Sequence, residues 1–173
     1  MPNLLGAVAD ADAFSNYLIK HLKVPRSQIT DLRDAEATRD NIIGCIRNLK
    51  DDDRITNGDS ILIFYAGHGA SGRAPDRWEA GNKKVESIVP YDCRVIVGGS
   101  KVRALPDRTL GALLHQLADV KGDNIVRCLF VSFSIFLYLG CIRQSFLTAA
   151  TLALELGRMK SYEASSYVLT RFP

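Results

Sequence analysis

The residue of this sequence best suited to chemistry is His68, which stands between Gly67 and Gly69. An imidazole changes its protonation state near neutral pH, so it serves as a general acid, a general base or a metal ligand. A glycine on each side lets the backbone bend sharply and leaves the ring uncovered. On these residues alone, a packed or surface histidine and a catalytic histidine are both open. His21 and His115 lie in predicted helices without a companion at metal-ligand spacing, and we interpret both as structural or solvent-facing.

Four cysteines are the other reactive side chains, and they lie far apart in the sequence: Cys45, Cys93, Cys128 and Cys141. None belongs to a Cys-x-x-Cys pair and no secretory signal precedes them, which argues against a disulfide scaffold and a zinc ribbon. The pattern favours an intracellular, reduced protein, and we expect a cytoplasmic location. The net charge of +3, from 22 basic and 19 acidic residues, is small and evenly spread, so no nucleic-acid partner is expected.

Three segments with apolar residues at helical spacing are expected to form helices around His68. They are residues 5–22, a segment that begins at the N-cap Thr38, and residues 106–120. The apolar run 60–66 is typical of a strand buried on both faces, and residues 123–125 are expected to lead into another strand. Between them, the polar stretch 70–84 is predicted as a long loop.

Buried strands that alternate with helices indicate an α/β fold, with a mostly parallel sheet and helices on both of its faces. In such folds, functional groups gather at the carboxyl ends of the strands. His68 follows the strand 60–66 directly and is therefore expected at such an end.

Three stretches, taken in order, carry a resemblance to one family: Leu5-Gly6-Ala7-Val8-Ala9-Asp10-Ala11, Ile61 to Gly69, and Ser87-Ile88-Val89-Pro90-Tyr91-Asp92. They are similar to the first helix, the histidine-bearing strand and the next strand of the caspase-like cysteine peptidases, in particular the fungal-type metacaspases. The resemblance implies an incomplete caspase-like three-layer sandwich. The family has an apolar strand before its first helix, and Met1 falls just before that helix, so we expect the sheet to lack this strand.

The resemblance also implies roles for two residues. His68 corresponds to the catalytic histidine, which assists a cysteine thiolate that attacks a peptide carbonyl. Metacaspases cleave polypeptide substrates after Arg or Lys with the help of an acid on the first helix, so Asp10 becomes the candidate substrate-binding residue. The alternative is that Asp10 stabilises the N-terminus of its helix without any substrate.

Calcium is a cofactor that the resemblance makes possible, since many metacaspases depend on it. Three acids lie in the corresponding loop region without a recognisable ligand pattern: Asp76, Glu79 and Glu86. We therefore assign neither a metal site nor a cofactor from the sequence.

The nucleophile that the resemblance implies is missing from its place. The family motif Asp-Cys-Cys-His-Ser-Gly should follow Asn124-Ile125 within one strand. Neither Cys128 nor Cys141 is followed by His-Ser-Gly, and we interpret both as inert cysteines in apolar surroundings. Residues 128–142 carry no charge, but this 15-residue segment is shorter than the about 20 residues that span a bilayer, so no membrane partner is expected.

The sequence further downstream is consistent with a motif encoded in another reading frame. Read one base out of step, codons for Asp-Cys-Cys-His permit Thr or Ile, Ala or Val, Ala or Val, and Thr or Ile. The chain has Thr148-Ala149-Ala150-Thr151, and with the longer family-like string Asp-Cys-Cys-His-Ser-Gly-Ser-Gly-Thr-Arg the agreement continues to Gly157. The codon of Val126 must start with GT, the usual start of an intron, and the codon of Arg143 can be AGA, which contains the usual end AG.

These observations predict two parts of the chain: a partial caspase-like domain, 1–125, and an aberrant tail, 126–173, with a retained intron over 126–143 and a frameshifted remainder. By resemblance, the domain is a cysteine-type endopeptidase of apoptotic proteolysis. We expect the chain as written to be inactive because it lacks the nucleophile, so whether it is an enzyme stays open. The alternative is a non-catalytic interaction module that associates with substrates or with full-length relatives.

Overall fold

A computed structural model describes residues 6–76, 78, 84–131 and 166–172 of the protein. Its helices are α1 (Ala7–Lys20), α2 (Arg39–Asp51) and α3 (Asp107–Lys121), with short 3-10 helices at Arg26–Gln28 and Asp34–Glu36. Its strands are β1 (Ile29–Arg33), β2 (Ser60–Gly67), β3 (Gly69–Arg73), β4 (Lys84–Ile88), β5 (Ile96–Val97), β6 (Ser100–Lys101), β7 (Leu105–Pro106), β8 (Ile125–Val131) and β9 (Ser166–Phe172). The three helices and the strand after residue 60 lie where the sequence predicts them.

Strand β2 forms the middle layer of a sandwich because its alternate residues face opposite sides. The odd-numbered residues from 61 to 65 lie in a core with apolar residues of α2 and α3. The even-numbered residues from 62 to 66 lie in a second core with α1, where the rings of Phe14 and Phe64 stack with their centroids 4.2 Å apart. The predicted strand buried on both faces and the helices on both sides of the sheet are therefore confirmed.

The main sheet of the described residues has the strand order β1-β9-β2-β8. Strands β2 and β8 are parallel, with Ile61 beside Ile125 and Gly67 beside Val131. Strand β9 runs antiparallel to both β1 and β2, so β1 and β2 point in the same direction. The predicted α/β fold class is confirmed, with three of the four strands pointing in one direction, although both pairings of β9 are antiparallel. Strands β1, β2 and β8 all end at one edge, which we call the carboxyl edge.

Local contacts explain where α2 begins and α3 ends. The Thr38 side chain accepts a hydrogen bond from the N–H of Asn41 at 3.3 Å, which confirms Thr38 as the N-cap. Beyond α3, Gly122 has φ +87°, and a Cβ at this position would lie 3.0 Å from the backbone nitrogen of Gly58. Only glycine fits this close approach, which sets the start of β8 beside the start of β2.

Residues 70–84 differ from the predicted loop. Strands β3 and β4 pair antiparallel from Gly69 and Ile88 to Arg73 and Lys84, while residues 77 and 79–83 lie outside the described ranges. This ribbon is mostly exposed and, apart from Ile88 at its base, buries no apolar side chain, so backbone hydrogen bonds hold most of it together. Hydrophobic periodicity does not reveal such a pairing.

Two predictions concern the ends of the chain: a missing strand before α1 and an aberrant tail after residue 125. The strand that the family has before α1 would fall on residues 1–5 or earlier, outside the described residues. The position between β1 and β2 is occupied by β9, and β8 crosses the predicted boundary at residue 125. The division into 1–125 and 126–173 stays a prediction. None of the helices within the described residues has the length and apolar character that crossing a bilayer requires.

Candidate active site at the carboxyl edge of the sheet

His68 lies at the carboxyl end of β2, and its backbone is held by two donors. Its carbonyl oxygen accepts a hydrogen bond from the Tyr65 hydroxyl at 2.6 Å and another from the N–H of Val89 at 2.9 Å. The Tyr65 side chain is fully buried, and its hydroxyl also lies 3.4 Å from the carbonyl oxygen of Val89. The backbone at His68 is therefore fixed in position although glycines flank it.

The imidazole of His68 is half-buried, and its Nε2 atom is buried without a hydrogen-bond partner among the described residues. Buried polar atoms are nearly always paired, because leaving one unpaired costs about 1–3 kcal/mol. The unpaired nitrogen makes His68 the candidate for a ring that takes a further partner.

Strand β8 ends beside β2 at the same edge. The two strands are in register up to the pair Gly67 and Val131, and His68 directly follows that pair. In a parallel sheet, a residue placed one position beyond the end of β8 would be the neighbour of His68. The fold thus brings the carboxyl ends of two parallel strands together beside His68, and Ser132 follows Val131 in the sequence.

Cys128 lies in the middle of β8 rather than at the carboxyl edge. It pairs with Phe64, which puts it about 13 Å before His68 at the usual rise of a strand. Cys45, on α2, packs against the core, and burial raises the pKa of its thiol, which disfavours the reactive thiolate. Cys141, which the sequence predicts to be inert, lies outside the described residues.

Polar contacts establish the direction of α1 over the sheet. Arg33, at the end of β1, forms an ion pair with Asp12 at 3.2 Å. Asp31, in the middle of β1, accepts a hydrogen bond from the Ser15 hydroxyl at 3.1 Å. Residues later in α1 therefore contact residues earlier in β1. Helix α1 runs antiparallel to β1 and β2, and its N-terminus lies at the carboxyl edge.

Asp10 belongs to the first turn of α1 and so lies at the carboxyl edge as well. Its side chain is partly buried, and desolvation by burial raises the pKa of its carboxyl. A nearby cation would counter this effect, because an opposite charge favours the ionised form. The fold therefore brings His68 and Asp10, the two candidate site residues, to one edge of the sheet.

The other two histidines are exposed, in agreement with the sequence-based interpretation. His21 follows the C-terminus of α1, and its ring stacks on Tyr17 with a centroid distance of 5.2 Å. His115 lies on α3. Neither has a buried ring nitrogen without a partner, which distinguishes both from His68.

The acids considered for calcium do not form a ligand cluster in the part of the chain that the structure describes. Asp76 and Glu86 are exposed, and Glu79 lies outside the described residues. Among the described side chains, no group of three or more His, Cys, Asp or Glu is placed to hold a metal ion.

Tyr65 is the site residue that reasoning from sequence missed. Its position inside a continuous apolar strand predicts only burial, whereas its hydroxyl positions the backbone of His68. The available signal was chemical: a tyrosine hydroxyl in a buried strand requires a hydrogen-bond partner. The spacing of three residues from His68 then points to that partner.

Comparison with protein families gives one match, to a model described as "Metacaspase, peptidase C14 domain", over residues 1–119. This range contains α1, β1, α2, β2 and most of α3, and thus both His68 and Asp10. It ends before β8. Comparisons with curated proteins and with solved structures gave no match.

Proposed function

Because this chain belongs to the metacaspases, a family of peptidases, we propose that it carries the histidine half of a cysteine endopeptidase site. The observation that carries the proposal is the buried Nε2 atom of His68, which lacks a partner among the described residues. It lies where two parallel strands end side by side, which is where this chemistry needs two residues from two different strands.

His68 is proposed as the catalytic histidine. In such a site, the imidazole takes the proton of a cysteine thiol, and the imidazolium then stabilises the thiolate that attacks the peptide carbonyl. The proton later passes to the leaving amine, so the ring must hold one orientation through both steps. The hydrogen bonds from Tyr65 and Val89 to the His68 carbonyl support this role because they fix the backbone from which the ring extends.

Asp10 is proposed to bind the side chain of Arg or Lys at the cleavage position. Its place in the first turn of α1, at the same edge as His68, supports this assignment. A partly buried carboxylate gains more from a cation than an exposed one, because it has already lost part of its hydration. Polypeptides cleaved after a basic residue are thus the proposed substrates of this site.

The chain as written is proposed to be inactive as a peptidase. Cys128 lies in the middle of β8 in register with Phe64, and the residues that follow β8 in the sequence are Ser132 and Phe133. Without the thiolate there is no covalent step, and the acceleration that remains comes from binding and electrostatics alone.

The test compares this chain with a frame-restored chain, in which residues 1–125 are followed by a four-residue strand and the motif Asp-Cys-Cys-His-Ser-Gly. Both are assayed with a fluorogenic peptide that has Arg at the cleavage position, with and without an alkylating reagent. We expect the frame-restored chain to be at least about a thousandfold more active, and alkylation to abolish this activity.

Two substitutions in the frame-restored chain test the assigned roles. His68→Ala should lower kcat by about a thousandfold or more, whereas the matched control His115→Ala should leave it unchanged. Asp10→Asn should raise KM for Arg and Lys peptides by about tenfold or more. Alkylation-sensitive turnover by the chain as written would contradict the proposal, and so would a folded but inactive frame-restored chain.

A further inference from the structure

Residues 94–103 form a hairpin, here called the basic hairpin, that stands apart from the main sheet. Strands β5 and β6 pair only with each other among the described strands. They are joined by Gly98 and Gly99, with φ +55° and +77°, and a Cβ at either glycine would meet no atom within 4 Å. The tip of the hairpin therefore extends into open space.

The apolar side chains of the basic hairpin are exposed on both of its faces. Val95, Ile96 and Val97 have 51%, 72% and 60% of their surface accessible. Neighbouring strand residues point in opposite directions, so Ile96 and Val97 lie on different faces, and neither face is covered. A protein partner docked on one face of the hairpin would leave the apolar side chains of the other face in water. A lipid bilayer that surrounds the tip would cover the apolar side chains of both faces.

The charges of the basic hairpin have one sign. Arg94, Lys101 and Arg103 are exposed, and no acid occurs from residue 93 to residue 106. Within the described residues, none of these three cations forms an ion pair. Tyr91, just before the hairpin, is 58% exposed, and tyrosine is a side chain favoured at the boundary between lipid and water. An apolar tip with a basic base is complementary to an anionic lipid surface.

The base of the basic hairpin is anchored before any partner binds. The Oδ1 atom of Asp92 accepts a hydrogen bond from the N–H of Arg39 at 2.9 Å, and the N–H of Tyr91 donates to the carbonyl of Ala37 at 3.0 Å. These contacts tie the hairpin to the N-terminus of α2. Insertion would thus require little ordering of the chain, which favours binding.

We propose that the basic hairpin inserts its apolar tip into the surface of an anionic lipid bilayer, with Arg94, Lys101 and Arg103 bound to lipid headgroups. This contact lies at the interface and requires no membrane-spanning segment. It does not depend on the proposed peptidase function, because none of its residues belongs to the candidate active site.

The test is flotation of the full chain with vesicles of phosphatidylcholine alone and with about 30% phosphatidylserine added. We expect at least tenfold stronger binding to the anionic vesicles, and loss of most of it when salt is raised from about 0.1 to 0.5 M. Ile96→Asp should reduce binding by about tenfold or more. The matched control Val120→Asp, at an exposed apolar position on α3, should bind like the unmodified chain.

The charge contribution is tested in the same way. The triple variant Arg94→Gln, Lys101→Gln, Arg103→Gln should lose about fivefold in affinity per removed charge, while Arg47→Gln on α2 should lose none. Ile96→Leu should bind normally, and circular dichroism should show each variant folded. Equal binding to neutral and anionic vesicles would overturn the proposal. Unchanged vesicle binding by the Ile96→Asp variant would also overturn it. So would the finding that the unmodified chain self-associates and that Ile96→Asp makes it monomeric, because the tip would then contact a second copy of the chain.

Discussion

The two ends of the β2–β8 strand pair differ in how completely their polar groups are paired. At the amino end, the Asn124 amide donates to the Ser60 hydroxyl at 2.6 Å and to the Gly58 carbonyl at 3.2 Å. Lys121 is buried, and its ammonium donates to two backbone carbonyls at 2.9 Å each. At the carboxyl end, the Nε2 atom of His68 has no partner among the described residues.

This difference suits the proposed roles: the amino end holds the fold, and the carboxyl end carries the proposed active site. Paired groups at the amino end stabilise the start of both strands. The unpaired Nε2 atom of His68 adds no hydrogen bond to the fold among the described residues, in line with the proposed catalytic role. Substitutions at the amino end should therefore cost stability, and substitutions of the His68 ring should not.

The largest effect is expected from Lys121→Met at the amino end. The substitution removes the two hydrogen bonds that the charged ammonium donates to the backbone carbonyls of Asp52 and Ile55. We expect the free energy of unfolding to fall by about 3 kcal/mol, measured by urea denaturation. Lys20→Met, at an exposed position of α1, is the control and should change it by less than about 0.5 kcal/mol. If Lys121→Met changed the free energy of unfolding as little as Lys20→Met does, the amino end would not be more important for stability than the carboxyl end.

Tyr65→Phe tests a short side-chain hydrogen bond at the carboxyl end. The hydroxyl donates to the carbonyl of His68 at 2.6 Å, and its loss should lower the free energy of unfolding by about 1–1.5 kcal/mol. In the frame-restored chain, kcat should fall while KM changes little, because the ring loses its position rather than its substrate. Tyr17→Phe, on α1, should alter neither quantity. A fall in stability with an unchanged kcat would restrict Tyr65 to a structural role.

His68→Leu should leave the free energy of unfolding unchanged or raise it by up to about 1 kcal/mol. The reason is that the substitution removes a buried nitrogen that has no partner among the described residues. Thermal and urea denaturation of the chain as written are the measurements. A loss of stability above about 1 kcal/mol would show that the imidazole is held by contacts of its own.

The smallest effect is expected from Asp10→Asn, and it depends on pH. Burial raises the folded-state pKa of this carboxyl, so the folded chain binds the proton more strongly than the unfolded chain does. The free energy of unfolding should therefore fall as pH rises from the ordinary pKa, near 3.8, through the raised one. Asn removes this dependence and should be slightly more stable above that range, by less than about 1 kcal/mol. If the free energies of unfolding of the unmodified chain and the Asp10→Asn variant differed by the same amount at every pH, the raised pKa of Asp10 would be contradicted.

The elements that hydrophobic spacing predicts are those that bury one apolar stripe or two apolar faces. Strand β2 and helix α3 belong to this class, and Thr38 was recognisable as a cap by its side chain. Strands β3 and β4 were not predictable because they are mostly exposed and show no regular apolar pattern. Strand β1 was not predicted for a similar reason, since only Ile29 and Leu32 of its five residues are buried.

The candidate site divides in the same way. The place of His68 at a strand end follows from the apolar run before it. Its anchor, Tyr65, was hidden because a buried strand gives no sign of a hydroxyl's partner. The placement of Asp10 at the same edge required the ion pair between Arg33 and Asp12, which joins segments 21 residues apart in the chain.

The central claim is that His68 evolved beside a cysteine that this reading of the gene does not contain. The most direct test is the nucleotide sequence of the locus and its transcripts across residues 124–160. Since every valine codon begins with GT, the account makes two predictions that can fail: AG within the codon of Arg143, and codons for Thr148 to Gly157 that spell Asp-Cys-Cys-His-Ser-Gly-Ser-Gly-Thr-Arg in the neighbouring frame. Codons that are unable to spell this motif would contradict it.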